Sequence, residues 1–212
     1  GRWKPKNYTI KQAEERWRSI VEPACALYGL TYSIGERRGV EVNHMLYAAI
    51  ATYKKTGRIG KIPTPCVAKD YVTLTLRKSR NPERDSNEAE SLKFVKLCDR
   101  KVIVIPDYDE RPLDIMDRMK LYAGAYTNIM VINGPLTLCI HSDAPYISMR
   151  TIGCERSQST SPAFSNGNGI TQGFQFPLAN PNERLSYLTD TAENLEFEYR
   201  AMERAIEQRR AA

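Results

Sequence analysis

Three runs between residues 77 and 135 gather side chains that bind anions or move protons. The first, Arg77-Lys-Ser-Arg-Asn-Pro-Glu-Arg-Asp-Ser-Asn87, gathers Arg77, Lys78, Arg80 and Arg84 with two serines and two asparagines. Guanidinium forks match phosphate oxygens in pairs, so this composition reads as an anion site. A solvated loop whose Ser86 or Asn87 caps the next helix accounts for the same residues more plainly. The second run is Pro106-Asp-Tyr-Asp-Glu110. Asp107 there can accept a hydrogen bond from a ribose or a base, and Asp107 with Asp109 forms a DxD of the kind that holds a metal-diphosphate. A turn with an acidic cap is the bland alternative, and Asp114 serves equally well as that cap. The third run is Asn133-Gly-Pro135. Gly134 lets a ligand come close to the backbone, and Pro135 suits a first helical turn. Backbone N–H groups left open at such a helix start favour a diphosphate.

Two further features carry less. His141 and Asp143 follow closely; a lone histidine at a helix end is a cap or packing residue more often than a base. Gly167, Gly169 and Gly173 with Gln172 and Gln175 compose either a lid or donor-side loop, or an ordinary loop. Neither GxGxxG nor a Walker A loop occurs, and no Ser-His-Asp or Cys-His set can be assembled, so hydrolase chemistry gains little support.

The elements that must position these residues follow from periodicity. Ile10, Ala13, Trp17, Ile20, Val21 and Ala24 recur at helical spacing after Thr9, and Val42 to Tyr53 reads as a second helix. Residues 1–65 therefore form a helical N-terminal segment, closed by the Pro63 and Pro65 connector. From Asp70 onward strands alternate with helices. Strands are expected at 71–76, 101–105, 128–132 and 145–149, with a short one at 173–176. The run Lys101-Val-Ile-Val-Ile105 looks like a strand covered on both faces. Helices are expected at 88–98, 113–125, 135–141 and 190–209. This alternation predicts an α/β fold with a parallel sheet and flanking helices over residues 66–212. On such sheets ligands bind at the carboxyl ends of the strands, where the three runs fall.

Composition narrows the class. Of 212 residues, 42% are hydrophobic and 26% charged, which excludes global disorder. No apolar run is long enough to span a bilayer and no leader is evident. Net charge is +6, yet the basic residues mix with acids, and the 77–87 loop carries no aromatic residue to stack on bases. No nucleic-acid partner is expected. Cys25, Cys66, Cys98, Cys139 and Cys154 are odd in number and unpaired in spacing, so reduced thiols and a cytoplasmic location are expected. His44 and His141, the two histidines, do not cluster with ligands for zinc. The chain opens on Gly1, which reads as a piece of something longer.

Several segments in order resemble a family. They are Tyr71-Val-Thr-Leu-Thr-Leu-Arg77, Arg84-Asp-Ser-Asn87, Val104-Ile-Pro-Asp107, Asn133-Gly-Pro135, Ser142-Asp-Ala-Pro-Tyr146, Gly173-Phe-Gln-Phe176 and Asp190-Thr191. Together they resemble the donor-binding, Rossmann-like half of GT-B glycosyltransferases of surface-glycan synthesis, over residues 66–209. The resemblance implies transfer of a sugar from a UDP- or dTDP-sugar, such as the deoxyhexose rhamnose, to a glycan acceptor. It implies that Asn133, Gly134 and Pro135 cradle the diphosphate, and that Arg77, Arg80 or Arg84 neutralises it. Asn87 and Gln175 join the donor side, and Asp107 and Tyr108 lie near the nucleoside. The acceptor base is then Asp107, Asp109 or His141, and no metal or other cofactor is required. A complete GT-B enzyme has a second Rossmann domain, which 65 helical residues cannot supply. Either other domains of a larger polypeptide complete the enzyme, or the N-terminal helices form a reduced acceptor side. A nucleotide-binding or interaction domain without turnover is the alternative.

Overall fold

Val72, Leu74 and Leu76 alternate with Thr73 and Thr75, so the strand they form has an apolar face and a hydroxyl face. That strand is β1 (Tyr71–Lys78), with residues 72–76 all buried. The computed structural model describes residues 70–79, 82–108, 113–153, 171–176 and 179–211, with the single positions Arg18 and Pro162. By backbone contacts the chain divides into two units, Gly1–Arg58 with Leu113–Lys120, and Ile59–Pro112 with Leu121–Ala212. The helices expected within 1–65 lie outside the described residues.

The second unit holds an α/β fold, Rossmann-like in general form. After β1 come a 3-10 turn (Pro82–Arg84), α1 (Glu88–Leu97) and β2 (Lys101–Tyr108). Along the chain the order continues with α2 (Ile115–Gly124), whose residues 115–120 belong to the first unit and 121–124 to the second, then β3 (Thr127–Val131), α3 (Leu136–Ile140), β4 (Tyr146–Met149), β5 (Glu183–Leu185) and α4 (Ala192–Ala211). All five strands are parallel, in the order β2-β1-β3-β4-β5. The order reverses between β1 and β3, which opens a crevice at their carboxyl ends.

Each face has its own chemistry. Val72, Leu74, Leu76, Ile129, Val131, Ile147 and Met149 meet Phe94 of α1 and Leu195, Tyr199 and Met202 of α4 in one apolar core. On the other face Thr73 donates to Asn128 Oδ1 at 2.6 Å, and the Thr75 hydroxyl lies 2.8 Å from the Tyr122 hydroxyl. The Asn128 amide also donates to Tyr122 O at 3.0 Å and Pro145 O at 2.7 Å. These buried polar atoms are satisfied by one another, which is what makes their burial tolerable.

Two expectations are corrected. Lys101 to Ile105 is not covered on both faces: Lys101 and Val104 are exposed, Val104 at 37%, and Val102 and Ile103 are half-buried, and among the described residues β2 is an edge strand of the sheet. An uninterrupted apolar run marks a strand without saying how completely other elements cover each of its faces. The last strand is Glu183–Leu185 and not 173–176. Gln175 instead pairs its side-chain amide with the Leu185 backbone, donating to Leu185 O and accepting from Leu185 N, each at 2.7 Å.

Candidate functional site

The site grows from the end of β1. Register places Arg77 beside Asp107, so the last residues of β1 and β2 stand together at the carboxyl edge. Arg77 turns its guanidinium over the neighbouring strand and donates from Nη1 to Ile132 O at 2.8 Å. One residue on, the Asn133 amide nitrogen lies 3.3 Å from Asp107 Oδ2, and Asn133 Oδ1 accepts from Leu136 N at 3.0 Å. Asn133 therefore links the end of β2 to the start of α3, and is buried. Gly134 is exposed, with open space where a Cβ would stand, and it does not take a positive φ. Its lack of a side chain is thus not demanded by the chain itself. Pro135 has helical backbone angles (φ −55°, ψ −29°) and opens α3 as expected.

The basic loop is shaped by its own short polar side chains. Ser86 closes it onto the strand: Arg77 N donates to Ser86 Oγ at 2.9 Å and Ser86 N to Arg77 O at 3.0 Å. Asp85 accepts from Ser79 N at 2.7 Å and from Ser79 Oγ at 2.8 Å. Asn87 caps α1, its Oδ1 accepting from Glu90 N at 3.3 Å. Of the two caps expected, Asn87 holds the helix while Ser86 holds the loop. Arg77 and Arg84 are half-buried within this frame. Arg80 and Asp109 lie outside the described residues, as does the loop that holds Gly167 and Gly169; Tyr108 closes β2 at the same edge.

Helix starts at this edge are already supplied with acceptors. Asn87 N donates to Asp190 Oδ2 at 2.6 Å, and Ala192 N donates to Glu90 Oε2 at 3.0 Å. Thus α1 and α4 cap each other reciprocally. The bond to Lys93, then the one from Ala192 N, holds the Glu90 carboxyl below the usual range. With Asn133 on α3, the first turns face internal oxygens, and cationic side chains remain as the main means of holding an anion here.

One residue of this edge was missed by the sequence reading. Arg150 follows β4 directly with a left-handed φ of 49°, and its Nε lies 3.2 Å from Asp190 Oδ1. Its Nη2 donates to Asp85 O at 2.6 Å. The rule that strand-end residues face the ligand points to it, since it ends the fourth strand as Arg77 ends the first.

Other candidates are not brought to this place. His141 is the C-cap of α3, donating its backbone N–H to Thr137 O, at the opposite end of that helix from Asn133. Gln175 is committed to β5. Cys98 is half-buried and Cys139 buried, both as free thiols, and burial pushes the Cys98 thiol up. No helix among the described residues is long and apolar enough to cross a membrane. No protein-family model, curated protein or solved structure matches the chain.

Proposed function

We propose that this chain is a nucleotide-sugar-dependent glycosyltransferase domain, with the donor bound at the carboxyl ends of β1, β2 and β3. One observation supports the reading above the others: Arg77, Asp107 and Asn133 meet at the β1/β3 switch point, joined by register and hydrogen bonds. Parallel sheets bind ligands at that point, and this one offers a guanidinium, a carboxylate and an unobstructed glycine there.

In this reading the nucleoside diphosphate of a UDP- or dTDP-sugar lies across Gly134, with Arg77 and Arg84 balancing the charge that grows on the leaving phosphate. Preorganised cations at a developing charge are the usual source of such stabilisation. Asp107 is the base: it takes the proton of an acceptor hydroxyl as that oxygen bonds to the anomeric carbon and the diphosphate departs with the bonding pair. Its bond from Asn133 fixes the carboxylate for that task. The acceptor is a glycan, and metal is dispensable because the arginines supply the positive charge.

Thermal shift against a panel of nucleoside diphosphates and their sugars tests the binding step, since a ligand of the folded state raises the melting temperature by mass action. Sugar transfer or hydrolysis on the same panel tests turnover. Stabilisation by UDP- or dTDP-sugars with release of the diphosphate is expected. Stabilisation without release makes the chain a nucleotide-binding domain, and no stabilisation by any nucleotide overturns both readings.

A further inference from the structure

We propose that Arg150 is a ligand-binding residue of this crevice, presenting its guanidinium to the phosphate oxygens of the ligand from the β4 side; the role rests on the reading of the site given above. Arg150 is the one non-glycine residue with a positive φ among the described residues, at 49°. A Cβ in that conformation crowds the following carbonyl, and glycine holds it without strain. The backbone there favours glycine while the chain carries an arginine, so the side chain is what the position retains. Strained residues of this kind gather at ligand clamps.

The side chain is held as a binding group would be. Its Nε pairs with Asp190, whose side chain is 6% exposed, and its Nη2 is tied to Asp85 O. Because the guanidinium is planar, fixing those two nitrogens also fixes the direction of Nη1, which makes no hydrogen bond among the described residues. The reach is equally specific. Arg150 extends from the end of β4 to the loop after β1, at Asp85, next to the Ser86 that is bonded to the Arg77 backbone. Arg77 extends the other way, from β1 to Ile132 beyond the end of β3. Both arginines thus reach beyond their own strands at the carboxyl edge of the sheet, Arg77 toward β3 and Arg150 toward the loop after β1. A ligand carrying two adjacent anionic groups, as a diphosphate does, is what two guanidinium groups at one sheet edge would favour.

A purely structural brace between Asp85 and Asp190 is the competing account, and calorimetric titration separates the two. UDP and inorganic pyrophosphate are titrated into the full chain and into Arg150→Gly, Arg150→Lys and Asp190→Asn, with melting temperatures recorded for each. Arg150→Gly keeps the left-handed backbone and is expected to weaken both probes about ten- to hundredfold. Asp190→Asn breaks the brace but keeps the guanidinium, and is expected to lose several-fold less. Should the glycine variant unfold, Arg150→Lys carries the test, with at least about a fivefold loss expected because an ammonium lacks the fork. Equal losses in Arg150→Gly and Asp190→Asn, or wild-type affinity in either Arg150 variant, overturn the inference. Failure of the wild-type chain to bind either probe overturns the donor-site reading itself.

Discussion

At the scale of single residues, Gly134 and Arg77 divide the work of the proposed site between space and charge. Because a Cβ on Gly134 meets nothing within 4 Å, Gly134→Val should leave the fold nearly intact. The added side chain projects into the space proposed for the diphosphate, and blocking one or two charge-assisted hydrogen bonds should cost about 2–4 kcal/mol of binding. Calorimetry and thermal melts on one sample check both halves: a large affinity loss with a shift in melting temperature of only a few degrees. A variant that binds as the wild type does would place the ligand elsewhere. Arg77→Ala removes the bond to Ile132 O as well as the charge. It should therefore lower stability by roughly 0.5–1.5 kcal/mol and weaken nucleotide binding in a salt-dependent way.

Elements are locked together here by polar side chains placed at both edges of the sheet. At the amino edge, Asp99 accepts from Arg200 at 2.9 Å and from Tyr199 at 3.0 Å, while Arg100 pairs with Glu203 and stacks 3.8 Å over the Tyr126 ring. The bond from Arg200 holds the Asp99 carboxyl below its usual range. A carboxyl depressed in the folded state adds stability above its unfolded pKa of about 3.9 and loses it as pH falls through the lower folded value. Asp99→Asn should accordingly destabilise the protein at pH 7 and make little difference near pH 2, as urea unfolding at the two pH values would show. On the hydroxyl face, Asn128 serves β1, α2 and the start of β4 at once. Asn128→Ala leaves the buried Thr73 hydroxyl without its acceptor and takes one of two donors from each of the Tyr122 and Pro145 carbonyls, and should cost about 1–3 kcal/mol by denaturant titration, with the sheet retained.

For the molecule as a whole, the placement of charge bears on how the donor is neutralised. Arg77, Arg84 and Arg150 all follow or end strands at the carboxyl edge, where the starts of α1, α3 and α4 are already capped from within. If these cations suffice, chelation by EDTA should leave nucleotide binding unchanged, while raising salt from 50 to 500 mM, about a threefold shortening of the Debye length, should weaken it. Loss of binding on chelation, restored by a divalent ion, would instead assign the donor's charge to a metal on Asp107 and Asp109.

What residues 70–211 determined by local pattern was the kind and order of their elements up to β4, and the last helix. Period-two alternation in Tyr71-Val-Thr-Leu-Thr-Leu76, the Asn87 cap and the Gly134-Pro135 turn act through neighbours in the chain, so they are visible without a fold. The strand ends could be named for the same reason. Tertiary structure decided which strand lies at the edge, because pairing is a contact between segments far apart in sequence. It also chose Glu183–Leu185 as the last strand: with one apolar residue, it is held by Ser148 and by the Gln175 amide more than by its own pattern. Only the fold could show that Asp190 and Glu90 cap each other's helices across some hundred residues. The same is true of Arg150. Its placement is set by a left-handed backbone and by Asp85 and Asp190 at long range, and no local spacing encodes such a meeting.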